Sequence, residues 1–413
     1  MSADAASGNG SLSDAAIPCL VYSPHSYSGR GPAESCVQIV KYFRDNGLDT
    51  TLFVGRARTS VPPSVAVQPA VPAWLNHVPW KLVQRRALQR AEHRFSAALA
   101  EAPVKGIAYF WPNHDLELVR HAKNEGWIAV REMTNRTLAA AKASLDRGFA
   151  EAGEARPHHI PEHRVVEENA ALREFDLLFS SNADVDASLL ALGIDQSRIL
   201  PTSFGWPDEK FGTVEPRPTG GPLRVGYLGT LSIGKGIPDL LDAWKLWRGE
   251  GTLELAGPMD WSMEQAVASA CAADPRIRHL GYVTGVREFF NRCDIVVIPT
   301  LDEGGPQVTY EAAAAAAAII GTPMARARML EHERNALIVP CHDAGALAAA
   351  IARLAARPDE RRRLGDQARQ DVLPFAYSRV GSERARMLAA AFRRLTGTAA
   401  SPAPAPPMVR VSA

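Results

Sequence analysis

The sequence has few cysteines, and those it has are too scattered to indicate metal or disulfide chemistry. Its five cysteines include no Cys-x-x-Cys pair, and an odd number cannot all form disulfides. They are Cys19, Cys36, Cys271, Cys293 and Cys341. We therefore predict buried free thiols in a reducing compartment, and we expect no metal site.

Long hydrophobic runs are also missing. No apolar stretch reaches the roughly 20 residues that a membrane-spanning helix needs, and the N-terminus lacks the basic region and apolar core of a signal peptide. These absences predict a cytoplasmic protein. Neither sign of charge is in excess, since the formal net charge is only +1. Without an overall positive charge, we do not expect nucleic acid as a partner.

What is present is the pattern of an α/β protein. Short buried-strand runs alternate with helical patterns from Ile17 onward, and 413 residues are enough for two domains. We predict one domain over residues 17–212 and a second over residues 213–376, followed by a helix over 377–396. Residues 1–16 and 397–413 are small, polar or proline-rich and are predicted to be flexible tails.

The stretch from Asp294 to Gly321 carries the most chemistry. Its β-branched run Ile295–Pro299 predicts a strand that is buried on both faces of a parallel sheet. The loop over residues 303–306 contains Glu303 and two glycines, and a helix is predicted to begin at Gln307, with Glu311 in its first turns. Free N–H groups at that helix start and the adjacent glycines predict a site for a phosphate group.

Two glutamates eight positions apart, Glu303 and Glu311, resemble the signature of the retaining glycosyltransferases of family four. Two other segments carry the same resemblance: LRVGYLGTLSIGKGIPDLLDAW (Leu223–Trp244) and ERNALIVPCHDAGALAAAIARLAARPDERRRLG (Glu333–Gly365). The resemblance implies the GT-B fold, in which two doubly wound Rossmann-like domains face each other across a cleft. It also implies that helix 377–396 crosses back to the N-terminal domain.

That family resemblance implies the activity as well. The chain would move a sugar from a nucleotide-sugar to a glycan, lipid-linked or small-molecule acceptor, as in polysaccharide biosynthesis, with retention and without a metal or other cofactor. The N-terminal domain would hold the acceptor and the C-terminal domain the donor.

By resemblance, Lys235 would stabilise the donor diphosphate, Glu303 would lie at the donor sugar, and Glu311 would accept hydrogen bonds from the ribose. Thr230 stands where the family has an arginine on the diphosphate. The predicted donor-binding residues are Gly229, Thr230, Lys235, Tyr282, Val283, Glu303, Gly304, Gly305, Gln307 and Glu311. The predicted catalytic residues are Glu303, Lys235 and His114.

The N-terminal half offers residues at predicted strand ends. Gly29 and Gly31 lie in the loop after the first strand, and His114, Arg131 and Glu132 lie at the ends of two later strands. Since carboxyl ends of parallel strands share one edge, we expect all five to face one cleft. The resemblance places His114 at the reacting sugar. The alternatives are a structural histidine and an ordinary glycine turn.

Residues 74–94 form a basic amphipathic segment. Its apolar residues are Trp74, Trp80, Leu82 and Leu88, and its basic residues are Lys81, Arg85, Arg86, Arg90 and Arg94. This pattern is typical of peripheral contact with an anionic membrane, here the inner face. The alternative is a solvated helix packed on the N-terminal domain.

Two other functions remain open on the sequence alone. An epimerase of nucleotide-sugars with the GT-B fold would need no open acceptor cleft. The threonine at position 230 also permits a noncatalytic, glycosyltransferase-like subunit that binds a partner enzyme.

Overall fold

The computed structural model describes residues 16–29, 31–212 and 221–397. The predicted tails, 1–16 and 397–413, therefore lie outside the described residues except for Ala16 and Gly397. Residues 213–220, at the start of the predicted second domain, also lie outside them.

The described residues form two parallel sheets and the helices around them. The strands are β1 (Ile17–Tyr27), β2 (Leu48–Ala57), β3 (Ala66–Pro69), β4 (Ile107–Phe110), β5 (Ile128–Met133), β6 (Leu177–Ser180), β7 (Ile199–Pro201), β8 (Leu223–Leu228), β9 (Gly251–Ala256), β10 (Ile277–Gly281), β11 (Ile295–Ile298), β12 (Ala318–Gly321) and β13 (Leu337–Ile338). The helices are α1 (Gly31–Val40), α2 (Trp80–Glu101), α3 (Leu116–Asn124), α4 (Leu138–Glu151), α5 (Glu162–Glu174), α6 (Ala183–Ala191), α7 (Asp208–Phe211), α8 (Ile237–Leu246), α9 (Glu264–Ala273), α10 (Val286–Arg292), α11 (Gln307–Ala314), α12 (Ala344–Ala356), α13 (Pro358–Asp371) and α14 (Tyr377–Thr396).

Both sheets have the same doubly wound strand order. The first sheet runs β3-β2-β1-β4-β5-β6-β7 and the second runs β10-β9-β8-β11-β12-β13. In each sheet the chain reverses direction of winding at one point, between β1 and β4 and between β8 and β11. Ligands of such folds bind outside the carboxyl ends of the strands at this point. The loops that follow β1, β8 and β11 are therefore placed for binding.

Each sheet is buried on both faces, which explains the unbroken apolar runs of its inner strands. In β4, Ile107 and Tyr109 pack into the core on one side, while Ala108 and Phe110 pack into the core on the other. Residues Ile295–Ile298 of β11 alternate between two cores in the same way. The predicted α/β class with two doubly wound sheets is confirmed.

The last helix joins the two halves of the molecule. Helix α14 follows the second sheet in sequence but packs against α1 of the first. Gly381 of α14 comes so close to α1 that an added Cβ would lie 2.6 Å from the Ile39 carbonyl oxygen. Near the end of the first domain, Trp206 contacts the end of α13, because its indole donates to the Val372 carbonyl at 3.0 Å.

Residues 56–103 include the predicted basic segment over residues 74–94. They contain the edge strand β3 and the 22-residue helix α2, which buries Ala87, Ala91, Phe95 and Leu99 against the first sheet. Among the described residues, no helix is both long enough and apolar enough to cross a membrane.

Candidate active site

A cavity of about 650 Å³ lies between the two domains, at the points where both sheets reverse their winding. Most of the predicted donor residues line it together with the glycine loop of the first domain. Those residues are Gly29, Gly31, Gly229, Lys235, Tyr282, Glu303, Gly305, Gln307 and Glu311. The structure thus brings most of the predicted donor residues and the glycine loop into one cleft.

Lys235 and Glu303 form an ion pair in this cleft. Lys235 Nζ donates to Glu303 Oε1, and the two side chains are 32% and 17% exposed. Lys235 ends a short 3-10 turn, Ile233–Lys235, which comes close to β11 because Gly236 has no side chain. A Cβ on Gly236 would collide with the Pro299 carbonyl oxygen. The close approach of this turn to β11 is what places the ammonium group beside the carboxylate.

Glu311 lies in α11, with its carboxylate facing the same cleft. Gln307 Nε2 is 3.4 Å from Glu311 Oε1, and Ser35 of the first domain donates to Gln307 Oε1 at 3.1 Å. Burial raises the pKa of Glu311 to about 7, although the charge of Lys210 acts in the opposite direction. Near neutral pH this carboxyl group is therefore divided between its neutral and ionised forms.

Thr230, Val283 and Gly304 are not among the residues that line the cavity. Thr230 is exposed, and its carbonyl accepts a hydrogen bond from the Tyr227 hydroxyl at 2.8 Å. Gly304 lies beneath the first domain, where a Cβ would collide with the backbone of Thr134 and Asn135.

His114 and Arg131 lie in a different cavity, of about 820 Å³, within the first domain. Arg131 Nη1 is 2.8 Å from His114 Nε2, and His114 Nδ1 is 2.9 Å from the Trp111 carbonyl oxygen. An arginine can only donate, so Nε2 accepts and the histidine is neutral with its proton on Nδ1. Burial, and then the charge of Arg131, lower the pKa of His114 to about 3. The structure does not bring these two residues to the Lys235 cleft, contrary to expectation.

Glu132 does not face the cleft, and that prediction is wrong. Its side chain is fully buried, and its Oε2 accepts from Arg384 Nη1 of α14 at 2.6 Å and from the Tyr109 hydroxyl. Successive residues of a strand point to opposite faces of the sheet. Since Arg131 points toward one face of β5, Glu132 must point toward the other, where α14 packs.

Comparison with known protein families agrees with the geometry of the second domain. Residues 222–357 match the family described as glycosyl transferases group 1. The chain is therefore a glycosyltransferase that contains a group 1 domain over residues 222–357. The matched range contains Lys235, Glu303 and Glu311.

Solved structures resemble the glycosyltransferase over nearly its whole length. Sucrose-phosphate synthase from Thermosynechococcus elongatus is 18% identical with a TM-score of 0.71, and the match covers 93% of this chain and 100% of that chain. HepE of Anabaena in complex with UDP-glucose is 15% identical with a TM-score of 0.64, covering 90% and 99%. WaaG, a glycosyltransferase involved in lipopolysaccharide biosynthesis, is 12% identical with a TM-score of 0.64, also covering 90% and 99%. These likenesses confirm the predicted GT-B fold.

A search of curated protein sequences finds no match to the glycosyltransferase. Within the part of the chain that the structure describes, no group of three or more His, Cys, Asp and Glu side chains is arranged to hold a metal ion. Metal independence stays a prediction.

Sequence reasoning missed two residues of the first domain that contact the Glu303 loop. Arg136 and Ser181 belong to the first domain, and they reach Asp302 and Gly304 of the second. Both follow the carboxyl end of a strand, β5 and β6 respectively, so the strand-end rule that selected His114 could have selected them too.

Proposed function

We propose that the enzyme transfers a sugar from a nucleotide-sugar to an acceptor, with retention at the anomeric carbon and without a metal ion. The observation that carries this proposal is the Lys235–Glu303 pair beside Glu311 in the interdomain cleft. The bound UDP-glucose of HepE, which has a similar fold, supports a nucleotide-sugar as the donor.

In this proposal the diphosphate of the bound donor replaces Glu303 as the partner of Lys235. The ammonium group stabilises the diphosphate as the bond to the anomeric carbon breaks, and this charge stabilisation is the main contribution of the protein. Glu303 is then free to accept hydrogen bonds from sugar hydroxyls, and Glu311 accepts from the ribose. With an exposed threonine at position 230, Lys235 carries this task without the family's arginine.

Retention follows if the acceptor hydroxyl approaches the face from which the diphosphate leaves. The acceptor oxygen forms the new bond to the anomeric carbon, and its proton passes to the departing phosphate oxygen. No protein base is needed for this step, and His114 lies outside the Lys235 cleft, in the first-domain cavity.

The acceptor side is the cavity of about 820 Å³ in the first domain. Its wall mixes carboxylate, amide and guanidinium groups from Asp115, Asn135, Arg131 and Glu168. Such groups suit the hydroxyls of a sugar, whether free, in a glycan or on a lipid carrier. His114 acts here by holding Arg131 in place, and not at the donor.

We also propose peripheral contact with an anionic membrane through residues 74–94, at the cytoplasmic face. Trp74 is 72% exposed and Leu82 is 76% exposed, and the same segment carries several exposed basic side chains. The exposed basic residues are Lys81, Arg85, Arg86, Arg90 and Arg94. The apolar side of α2 is used for packing on the first domain. Of the exposed basic side chains, Arg94 donates to the Pro69 carbonyl at 2.5 Å, and we propose that the others bind lipid.

The test is a panel of nucleotide-sugars, with release of nucleoside diphosphate measured with and without sugar acceptors. Release that acceptors stimulate supports transfer, and the anomeric configuration of the product by NMR tests retention. Conversion of the donor sugar without nucleotide release would favour the epimerase. Unchanged turnover after removal of divalent ions with EDTA supports metal independence, and loss of turnover refutes it.

A further inference from the structure

The residues on either side of Glu303 are both held by the first domain. On one side, Arg136 Nε and Nη2 lie 2.7 and 2.6 Å from Asp302 Oδ1. On the other side, Ser181 Oγ donates to the Gly304 carbonyl oxygen. Glu303 itself contacts Lys235, so the loop is fixed on both flanks while its central side chain faces the cleft.

The contact between Arg136 and Asp302 is sheltered and well defined. Each side chain is 13% exposed, and Arg136 Nη2 also donates to Ser144 Oγ of α4 at 2.7 Å. The arginine is thus anchored to its own domain while it binds the other. A planar guanidinium held by two partners fixes the carboxylate in direction as well as distance.

Hydrogen bonds link the segment around Asp302 to the 3-10 turn that carries Lys235. Thr300 Oγ1 donates to the Asp302 carbonyl at 3.0 Å, and Leu301 N donates to the Gly234 carbonyl at 2.9 Å. A displacement of Asp302 would therefore move the segment that determines the positions of both Glu303 and Lys235.

We propose that Arg136 is a positioning residue, which holds Glu303 at the donor sugar by binding Asp302 across the cleft. The inference rests on the proposed function, because it gives Glu303 a task at the donor. Arg136 also lines the first-domain cavity, so a single side chain joins the wall of the acceptor side to the donor loop. The catalytic geometry is complete only when the two domains are in contact.

The test compares Arg136→Met, Asp302→Asn and the double variant with the native protein. The matched control is Lys142→Met, which breaks an ion pair with Asp146 on the same helix, α4, away from the cleft. We expect Arg136→Met to lower kcat for nucleotide release about 10- to 100-fold, because small misplacements at a reacting centre have effects of this size. The Kd for UDP should stay within about threefold of native, since ribose and diphosphate contacts remain.

Three further measurements separate positioning from general stability. The effects of the two single substitutions should not add in the double variant, since both break the same contact. Hydrogen exchange should rise in the peptide over residues 300–307 of Arg136→Met and stay at the native rate in Lys142→Met. Arg136→Lys should recover part of kcat, because an ammonium can still reach Asp302.

Native kcat in Arg136→Met, or additive effects in the double variant, would overturn the proposal. So would a rise in hydrogen exchange that is spread over the whole first domain. Failure of the proposed function is a different result, namely no UDP binding and no donor turnover by the native protein. In that case the exchange rate over residues 300–307 still decides whether Arg136 positions this loop.

Discussion

The raised pKa of Glu311 predicts that nucleotide binding strengthens as the pH rises. Burial raises this pKa from 4.5 to about 7, so the carboxyl group is roughly 90% ionised at about pH 8 and roughly 10% ionised at about pH 6. If the ionised form is the one that accepts from both ribose hydroxyls, the affinity for UDP falls about tenfold between these two values.

The stability of the ligand-free protein should change in the opposite direction. Because the folded pKa of Glu311 lies above its ordinary value of 4.5, folding favours the protonated form. The stabilising contribution is complete below that ordinary value and is lost as the pH rises through about 7. Thus the same group makes the free protein less stable and the nucleotide complex tighter at higher pH.

The assay is titration calorimetry with UDP, together with thermal unfolding, across this pH range. Glu311→Gln is the matched variant, because its amide keeps the shape of the side chain and does not titrate. The diphosphate itself gains a proton at about pH 6, which changes the affinity of both proteins. The quantity to compare is therefore the slope of log Kd for UDP against pH, in the native protein and in the variant. Equal slopes in the two proteins would refute the assignment of Glu311 to the ribose.

Two other predictions concern the first domain. Arg384→Met should lower the free energy of unfolding by about 3–5 kcal/mol, because it leaves the fully buried carboxylate of Glu132 without its cation. Chemical denaturation measures this loss, and a loss below about 1 kcal/mol would contradict the prediction. Replacing Arg85, Arg86 and Arg90 with glutamine should abolish sedimentation with anionic liposomes at low salt while the melting temperature stays unchanged. Undiminished sedimentation of the triple variant would rule out the membrane surface.

The donor side of the site was predictable because its information is local. The strand, glycine loop and helix over residues 294–321 are contiguous, and the doubly wound topology fixes where such a loop lies. Lys235 and Glu303 come from separate segments, yet both follow strands that flank the same reversal point. Their pairing therefore follows from the strand order, once the order is known.

The acceptor side was less predictable because its contacts connect distant parts of the chain. Glu132 lies at a strand end, as predicted, but its partner Arg384 is 252 positions away. Only the alternation of side chains along β5 could have indicated that Glu132 and Arg131 point to opposite faces of the sheet. Likewise, the pairing of Arg136 with Asp302 depends on how the two domains meet, which neither domain's sequence pattern contains.

The central claim is that Lys235 supplies the positive charge for departure of the diphosphate. Its most direct test is the steady-state rate of nucleoside diphosphate release by Lys235→Ala, beside Lys245→Ala as the control. Lys245 lies on the neighbouring helix α8 in an exposed ion pair with Asp242. We predict that Lys235→Ala lowers kcat about 100- to 1000-fold with an unchanged melting temperature, and that the control keeps the native rate. A native rate in Lys235→Ala would contradict the account.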